Sequence, residues 1–327
     1  MELKGIDEIA MRVNSIIAEH LSGNENVRGL YDSSMHLFKA GGKRIRPFIL
    51  VKSAELLGGS QEDALRFGAA VELLHTFTLV HDDIMDMSEM RRGIPSVHAA
   101  FDVPTAIIAG DLLFSTVFEI ATLETVERNV AKEVVSELSR ATRRICEGQY
   151  LDMSLQGNLE SDESRYYEMI EKKTAALFEA SATVGGIIGR GSPEQIEHLR
   201  EYGRDVGLAF QLIDDVLGVV GDPSETGKPS GDDLRSGKFT AIVTHFRRNA
   251  SKEKLCEFAK VFNNPAASEH DIKRSVDLLM ETGAIDHARE MANAYTQRCL
   301  LALTKLPRNE ANLALEALAE SMSKRRT

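Results

Sequence analysis

The chain has 327 residues, of which 43% are hydrophobic and 27% are charged, and its formal net charge at pH 7 is −11. This composition allows a large core inside a solvated surface. The acidic balance argues against nonspecific nucleic-acid binding, because a phosphate backbone requires a basic protein face. No Gly/Ser-rich or low-complexity stretch divides the chain, so we predict one domain over residues 1–327.

Cysteine usage and hydropathy indicate where the protein resides. The three cysteines are far apart and form no CxxC pair, which fits thiols in a reducing compartment better than disulfides or zinc ligands. The first residues lack the basic-then-apolar order of a signal sequence. No apolar run approaches the ~20 residues that span a bilayer. We therefore expect a soluble, cytoplasmic protein without integral membrane association.

Helical periodicity dominates the chain and strand-like alternation is almost absent, so we predict an all-α fold, a multi-helix bundle around a central cavity. Residues 64–80 are apolar at nearly every helical phase, which is typical of a buried helix. Three more apolar helices are expected at 106–120, 174–188 and 202–220. Pro104 stands where a first-turn proline opens a helix.

The remaining helical segments are amphipathic, and we expect 124–147 and 310–323 to lie on the outside of the bundle. Glycine and proline mark the breaks between helices. These breaks are predicted at Gly41-Gly42, at Gly58-Gly59, at Gly191-Ser192-Pro193 and in the long loop 221–238.

The first chemical motif is the acidic run that ends the buried helix. Asp82 and Asp86 share one helix face at i, i+4 spacing, and Asp83 lies one position around. Carboxylates this close repel one another unless a cation joins them. Oxygen ligands without His or Cys favour Mg²⁺, which binds one or two carboxylates plus substrate phosphates. A solvated helix end is the alternative, whereas an EF-hand is excluded because Ile84 occupies a ligand position.

A second acidic pair, Asp214-Asp215, falls inside an apolar helix about 130 residues later. Burying unpaired charges costs several kcal/mol, so a nearby cation is the simpler account. Gln211 precedes the pair by three and four residues and shares its face. An internal salt bridge to Arg204 or to a lysine is the alternative reading.

Cations accompany both motifs. They are Lys43, Arg44 and Arg46 in a Gly-Gly turn, Arg91 and Arg92 after Asp86, Lys173 at the predicted start of the 174–188 helix, and Lys228 and Lys238 in the loop after Asp215. A P-loop is excluded, because Pro229 replaces the Ser/Thr and the upstream glycine is missing. Two carboxylate clusters and about eight cations suit two diphosphates bound in one cavity.

These motifs, in the order GGKRIRP, DDIMD with RRG, FQLIDD and SGKFT, resemble the trans-isoprenyl diphosphate synthase family, most closely its archaeal geranylgeranyl type. The resemblance implies one polyprenyl synthase-type domain. It also implies head-to-tail condensation of isopentenyl diphosphate with an allylic diphosphate, namely dimethylallyl, geranyl or farnesyl diphosphate. Isoprene (lipid) biosynthesis with a Mg²⁺ cofactor is then the expected role.

The resemblance assigns a role to each residue that matches the family motifs. Asp82, Asp86 and Asp214 are implied as Mg²⁺ ligands, and the catalytic set is Asp82, Asp83, Asp86, Lys173, Asp214 and Asp215. The implied contacts of the allylic diphosphate are Arg91, Lys173, Lys228 and Lys238, while Thr174 and Gln211 face the developing cation. The implied pocket for isopentenyl diphosphate is Lys43, Arg46, His75 and Arg92. His75 lies about two helical turns before Asp82, so it projects from nearly the same face.

The expected mechanism follows from these assignments. Mg²⁺ and basic residues neutralise the departing diphosphate, so that the allylic C–O bond ionises. Isopentenyl diphosphate then attacks the carbocation with its double bond, in a site that excludes water. The proton is lost to the released diphosphate, as the family implies, and no protein base is demanded.

Product length is expected to be set upstream of Asp82, where Leu74, Phe77 and Thr78 form the floor of the tail pocket. In this family a double aromatic here gives farnesyl diphosphate, whereas the single Phe77 resembles the C20 producers. We therefore predict geranylgeranyl diphosphate, with a farnesyl or longer-chain product as the alternative. The competing interpretation of Phe77 is ordinary core packing.

The second motif departs from the full DDxxD of much of the family, because Gly218 supplies no carboxylate on the Asp214 face. Asp222, Asp232 or Asp233 are candidates for the third carboxylate, and the assignment of Asp215 as a direct ligand is left open. A terpene cyclase or a non-catalytic synthase subunit are alternative functions. Family resemblance further implies a homodimer formed through the helix at 106–120.

Overall fold

Helices make up nearly all the regular structure of the computed structural model, which describes residues 5–23, 25–123, 127–221 and 231–323. They are α1 Ile6–His20, α2 Arg28–Ser34, α3 His36–Lys39, α4 Ile45–Leu56, α5 Gln61–Met85, α6 Val97–Ala100, α7 Val103–Ala121, α8 Arg128–Leu155, α9 Glu163–Ile170, α10 Ala176–Ile188, α11 Pro193–Val220, α12 Asp232–Arg235, α13 Ala241–Asn249, α14 Lys252–Phe258, α15 Glu269–Glu281, α16 Ala284–Leu303 and α17 Glu310–Ser323. A 3₁₀ turn covers Glu25–Val27 and a π-helical turn covers Glu171–Ala175. Within the described ranges, strand is confined to a hairpin that pairs Met90–Arg91 with Ile94–Pro95. The all-α prediction is confirmed.

Local capping chemistry fixes where the two central helices begin. The Ser60 hydroxyl accepts a hydrogen bond from the Asp63 backbone N–H at the start of α5, directly after the predicted break at Gly58-Gly59. The Asp102 carboxylate accepts from the Thr105 N–H at 2.6 Å, and Pro104 lies in the first turn of α7 as predicted.

The chain divides into two compact units, each assembled from separate stretches of sequence. The first unit contains Met1–Thr142, Leu177–Gly203 and Ala302–Ala317, and the second contains Arg143–Ala176, Arg204–Leu301 and Leu318–Thr327. A single polyprenyl synthase-type domain over the whole chain stays a prediction.

In the first unit, α5 packs against α1, α4 and α7. Its side chains are buried around most of its circumference, as the sequence predicted, with Phe67, Val71 and Leu74 at most 1% exposed. The helix ends at the first acidic motif, where the Asp86 N–H donates to the Asp82 carbonyl at 2.8 Å. The motif therefore stands at the end of a rigid, buried rod.

Helix α7 is long and apolar enough, by length and composition alone, to cross a membrane. The expectation that no segment approaches that length was therefore wrong. Its sequence carries Asp111 and Glu119, and one face packs against α5 and α2. A core helix of a folded domain can have the same length and apolar composition, because its buried face is as apolar as a membrane-spanning one.

The second unit has its own core, made by α9, α11 and α13–α16, with Tyr166 and Phe246 among its fully buried side chains. One predicted boundary is wrong here. Lys173 and Thr174 do not start a helix, because α9, the π-helical turn and α10 follow one another without a non-helical residue. Helix α8 also runs beyond the predicted segment, to Leu155.

Candidate active site

The three aspartates of the first motif divide into two that face outward and one that is buried. Asp86 is exposed and Asp82 partly exposed, whereas Asp83 is fully buried. Asp83 accepts from both the Nε (2.9 Å) and a terminal nitrogen of Arg91 through its Oδ1, while its Oδ2 has no hydrogen-bond partner among the described residues. Burial opposes the charge of Arg91, but Asp83, Asp82 and Asp86 raise its pKa above the ordinary value. Asp83 thus anchors the cation beside the two outward carboxylates.

The donor set at this helix end fits a hard divalent cation shared with a phosphate. Among the described residues, no three His, Cys, Asp or Glu side chains converge closely enough to hold a metal by themselves. Mg²⁺ does not require such a cage, because it is bound by one or two carboxylates plus substrate phosphate oxygens and water. Asp82 and Asp86 are the right number of carboxylates for such a site, and the buried Asp83 beside them is paired with Arg91.

A separate basic cluster forms where α4 meets α5. The Arg46 guanidinium donates to His75 Nε2 at 3.2 Å and lies 4.1 Å above the Phe178 ring. Burial lowers the pKa of Arg46 to about 10. Burial, together with the charges of Arg46 and Arg92, lowers the pKa of His75 well below its usual value. His75 is therefore a neutral hydrogen-bond acceptor near neutral pH, and it orients Arg46.

The cluster is built on a buried ion pair that sequence reasoning missed. Arg44 donates to Glu72 Oε1 at 3.0 Å and to Asn14 Oδ1 at 2.9 Å, and both Arg44 and Glu72 are nearly inaccessible to solvent. A glutamate inside an otherwise apolar helix was the available signal, because such a group requires a cation. Lys43, in contrast, is exposed.

The Gly41-Gly42 turn brings the last arginine of this cluster close. Arg92 donates to the Gly41 carbonyl at 2.6 Å. A Cβ on Gly42 would lie 2.4 Å from an Arg44 nitrogen and 2.9 Å from an Arg92 nitrogen, so only glycine leaves room for the two guanidinium groups. Arg44 and Arg92 both adopt left-handed backbone conformations, with φ of 47° and 54°. The structure thus gathers Arg44, Arg46 and Arg92 around Glu72 and His75.

The predicted floor residues lie below the first motif on α5. Leu74 is fully buried, and the Thr78 hydroxyl donates to the His75 carbonyl at 2.8 Å. Phe77 is half-buried and stacks on Phe114 of α7 with ring centroids 5.0 Å apart. His81 touches Phe77 edge-on at 4.8 Å, and its ring occupies the space beside Gly110, where a Cβ would lie 2.2 Å from Nε2.

In the second unit, the neighbouring aspartates of the second motif also have opposite environments. Asp214 is exposed, whereas Asp215 is 1% exposed. Asp215 accepts from the Tyr166 hydroxyl at 2.6 Å, from Gln211 Nε2 at 2.9 Å and from Lys238 Nζ at 3.0 Å. Burial raises the pKa of Asp215 despite these partners. The salt bridge to a lysine weighed as an alternative therefore exists for Asp215, while Asp214 is left facing solvent.

Lys238 is held between two carboxylates. Its Nζ lies 3.4 Å from Asp233 Oδ2 as well as 3.0 Å from Asp215 Oδ1. Burial opposes its charge, but Asp215, Asp233 and Asp214 raise the pKa of Lys238 well above its usual value. It is therefore a permanent cation. Lys228 and Asp222, also named from the sequence, lie outside the described residues.

The π-helical turn presents Lys173 and Thr174 to other helices of the same unit. Lys173 Nζ donates to Asp152 of α8 at 2.5 Å, and the Thr174 hydroxyl donates to Gln211 Oε1 of α11 at 2.6 Å. Helix α8 approaches closely because Gly148 has no side chain, and a Cβ there would lie 2.2 Å from the Lys173 nitrogen. π-helical turns occur often at functional sites. Asp152, which sequence reasoning missed, fixes the direction of Lys173.

A family model described as polyprenyl synthetase matches residues 27–279. Among curated relatives, a geranylgeranyl diphosphate synthase of Sulfolobus acidocaldarius is 38% identical over 98% of this chain and 97% of its own length. A geranylfarnesyl diphosphate synthase of Aeropyrum pernix is 36% identical over 96% of this chain and 98% of its own.

Solved structures are similar over the same length. The geranylgeranyl pyrophosphate synthetase of Pyrococcus horikoshii superposes with a TM-score of 0.92 at 42% identity, covering 98% of this chain and 97% of that one. A polyprenyl synthase of Caulobacter crescentus, complexed with calcium and isoprenyl diphosphate, superposes with a TM-score of 0.90 at 32% identity, covering 99% and 97%. The likeness therefore extends over nearly the whole chain.

Proposed function

The chain belongs to the polyprenyl synthetase family and is a prenyltransferase, and we propose that it makes chiefly geranylgeranyl diphosphate. It does so by condensing isopentenyl diphosphate head-to-tail with dimethylallyl, geranyl or farnesyl diphosphate. The supporting observation is the arginine cluster around Glu72 and His75, which is distinct from the arginine anchored at the acidic motif. A terpene cyclase has a single diphosphate to bind and would not need this second cluster.

The family is divalent-metal dependent, and Mg²⁺ is the ion we propose. Asp82 and Asp86 would hold Mg²⁺ and Asp214 would hold a further Mg²⁺, because these are the aspartates of the two motifs that reach solvent. When bound, Mg²⁺ supplies charge neutralisation at the departing diphosphate. The exposed, oxygen-only ligands match its preference for carboxylates plus phosphate.

The side chains then have separable tasks. Arg91, Lys173, Lys228 and Lys238 are the proposed contacts of the allylic diphosphate, and Lys43, Arg46, His75 and Arg92 those of isopentenyl diphosphate. Arg91 and Lys238 already have fixed directions, since Asp83 and Asp215 hold them. Such preorganised charges stabilise developing negative charge without reorganising during the reaction. As the allylic C–O bond breaks, the oxygens of Thr174 and Gln211 are proposed to face the carbocation.

The carbon–carbon bond forms when the double bond of isopentenyl diphosphate attacks the allylic carbocation. The proton lost from the new tertiary cation passes to the released diphosphate. Holding both substrates in fixed positions replaces a bimolecular encounter with a near-intramolecular one. Arg46 contributes by positioning, because His75 and Phe178 leave its guanidinium little freedom.

The C20 product is supported by Phe77, the single aromatic ring five residues before Asp82. A geranylgeranyl diphosphate synthase and a geranylfarnesyl diphosphate synthase are similar to this chain at 38% and 36% identity, so C25 is the longer-chain alternative to C20. We also propose a soluble, cytoplasmic homodimer that pairs through α7. The compartment is supported by the acidic composition and by the three cysteines, all described, which form no disulfide. The dimer is supported by the exposed apolar residues Val103, Ile107 and Ile108 on α7.

The test is a product assay of the purified chain with isopentenyl diphosphate and each allylic starter, with Mg²⁺ and with EDTA. Geranylgeranyl diphosphate is expected with Mg²⁺, and no product with EDTA. A main product of C15 or of C30 and longer would contradict the C20 assignment. Consumption of an allylic diphosphate without isopentenyl diphosphate would indicate a cyclase. Activity that appears only with a partner protein would indicate a non-catalytic subunit.

A further inference from the structure

Gly218 lies four residues after Asp214 on α11, at the helical position where a full DDxxD motif carries its last carboxylate. The side chain of Asp233 fills the space beside Gly218. A Cβ on Gly218 would lie 2.1 Å from Oδ2 of Asp233 and 2.6 Å from its Cγ. The carboxylate of Asp233, brought by a later part of the chain, thus occupies the volume that a side chain at 218 would need.

The position of Asp233 is fixed by backbone hydrogen bonds around it. Its carbonyl accepts from the Lys238 N–H at 2.9 Å, and the carbonyl of the next residue, Leu234, accepts from the Asn263 N–H at 3.0 Å. Gly157 donates to the Gly237 carbonyl at 2.8 Å. Leu234 is itself 1% exposed and belongs to the core of the second unit. The fold therefore fixes the backbone that carries this carboxylate.

The same carboxylate oxygen also meets a cation of the candidate site. Asp233 Oδ2 lies 3.4 Å from Lys238 Nζ, and Asp215 Oδ1 lies 3.0 Å from the same nitrogen. The Asp233 side chain is 15% exposed, so solvent screens this interaction only partly. Lys238 is consequently restrained from two sides, by Asp215 of α11 and by Asp233 of α12.

We propose that Asp233 is a positioning residue that takes the place of the carboxylate missing at Gly218. This inference rests on the proposed function. From the short helix α12, Asp233 directs Lys238 toward the allylic diphosphate and supplies negative charge one helical turn from Asp214. Among the described residues, Asp233 rather than the adjacent Asp232 contacts Lys238 and fills the space beside Gly218, whereas Asp222 lies outside the described part of the chain.

The proposal is tested by moving the carboxylate from position 233 to position 218 of α11. The variants are Asp233→Asn, Asp233→Gly, Gly218→Asp and the double variant Gly218→Asp/Asp233→Gly, with Asp232→Asn as the matched control. For each, kcat and KM are measured for the allylic substrate and for isopentenyl diphosphate separately. The thermal shift produced by Mg²⁺ with inorganic diphosphate gives a second readout that needs no turnover.

Asp233→Asn is expected to raise the KM for the allylic substrate about tenfold, as loss of a charge-assisted contact does. The KM for isopentenyl diphosphate should be unchanged, and the thermal shift should shrink. Gly218→Asp alone should lower the melting temperature, because its side chain would collide with Asp233. The double variant should restore both the melting temperature and most of the allylic affinity, and Asp232→Asn should resemble the wild type.

Two results would overturn the proposal: Asp233→Asn behaving like Asp232→Asn, or the double variant performing no better than Asp233→Gly. Failure of the proposed function looks different. In that case the wild-type chain would make no prenyl diphosphate, whereas the thermal shift and the melting temperatures would still decide the role of Asp233.

Discussion

At the scale of single residues, adjacent aspartates in each acidic motif have different environments. In each motif one aspartate faces solvent and the next is buried against a cation, Asp83 with Arg91 and Asp215 with Lys238. The outward carboxylate is the proposed metal ligand, and the inward one gives the cation a fixed direction. Consecutive aspartates can thus serve both purposes at one point of the helix.

The Arg44–Glu72 pair should contribute strongly to stability, because both groups are buried. Replacing Glu72 by Leu leaves the Arg44 charge uncompensated, so we expect a loss of about 3–5 kcal/mol in the free energy of unfolding. Chemical denaturation measures it. Glu62→Ala is the matched control, since its ion pair with Arg66 is largely exposed, and it should cost less than about 1 kcal/mol. Equal losses in the two variants would contradict this account.

His75 should make stability depend on pH. Its folded-state pKa lies well below the ordinary value of about 6.5, so above pH ~6.5 it is neutral in both states. Below that, only the unfolded chain binds the proton, and stability falls with decreasing pH until the folded pKa is reached. The contribution is at most about 1.4 kcal/mol per pH unit. His75→Gln should lose less unfolding free energy than the wild type between about pH 7 and pH 5.5. Parallel declines would refute this role.

At the scale of elements, patterns within one helix were readable from the sequence, and contacts between helices were not. The apolar phases of α5, its acidic end and the proline of α7 were predicted and are confirmed. The π-helical turn was missed because a single extra residue in a helix produces no recognisable pattern of apolar positions in the sequence. The pairing of Arg44 with Glu72 was missed because it joins residues remote in sequence. Asp233 was named as a candidate carboxylate, but its position beside Gly218 could not be read from the sequence.

The Phe77–Phe114 stack joins α5 to α7, and we expect it to limit product length from both sides. Phe77→Ser and Phe114→Ala should each shift the main product beyond C20, because each removes one ring of the floor. Phe118→Ala is the control. Its ring touches Phe114 edge-on, one turn farther along α7, so C20 should remain the main product. Chromatography of the dephosphorylated products separates these outcomes, and an unchanged profile for Phe77→Ser would indicate ordinary core packing.

At the scale of the whole molecule, the acidic net charge contrasts with a local concentration of arginines. The arginine cluster around the buried Glu72 attracts anions, whereas the net negative charge of the rest of the chain repels them. The fold class followed from the helical periodicity, and the catalytic family followed from motifs in their order along the chain. The division into two compact units had no signal in the sequence, because each unit is assembled from three separated stretches.

The proposed dimer makes a prediction about α7. Its exposed face carries Val103, Ile107 and Ile108, which are 43%, 44% and 54% exposed in the isolated chain. An apolar face of this kind is typical of a surface that a partner covers. Ile107→Glu/Ile108→Glu should convert the dimer to a monomer in analytical ultracentrifugation. Met11→Glu, on the equally exposed α1, should leave the dimer intact. A wild-type chain that sediments as a monomer would contradict the proposal.

The π-helical turn at Glu171–Ala175 restricts which insertions and deletions the chain can accept. A π turn holds one residue more than the α turn it replaces, so losing one residue there would produce a regular, shorter helix at little cost in backbone energy. Within the shortened turn the side chains would change phase, so Lys173 would leave Asp152 and Thr174 would leave Gln211. A change that costs the fold little would therefore be severe for catalysis, because both residues are proposed substrate contacts.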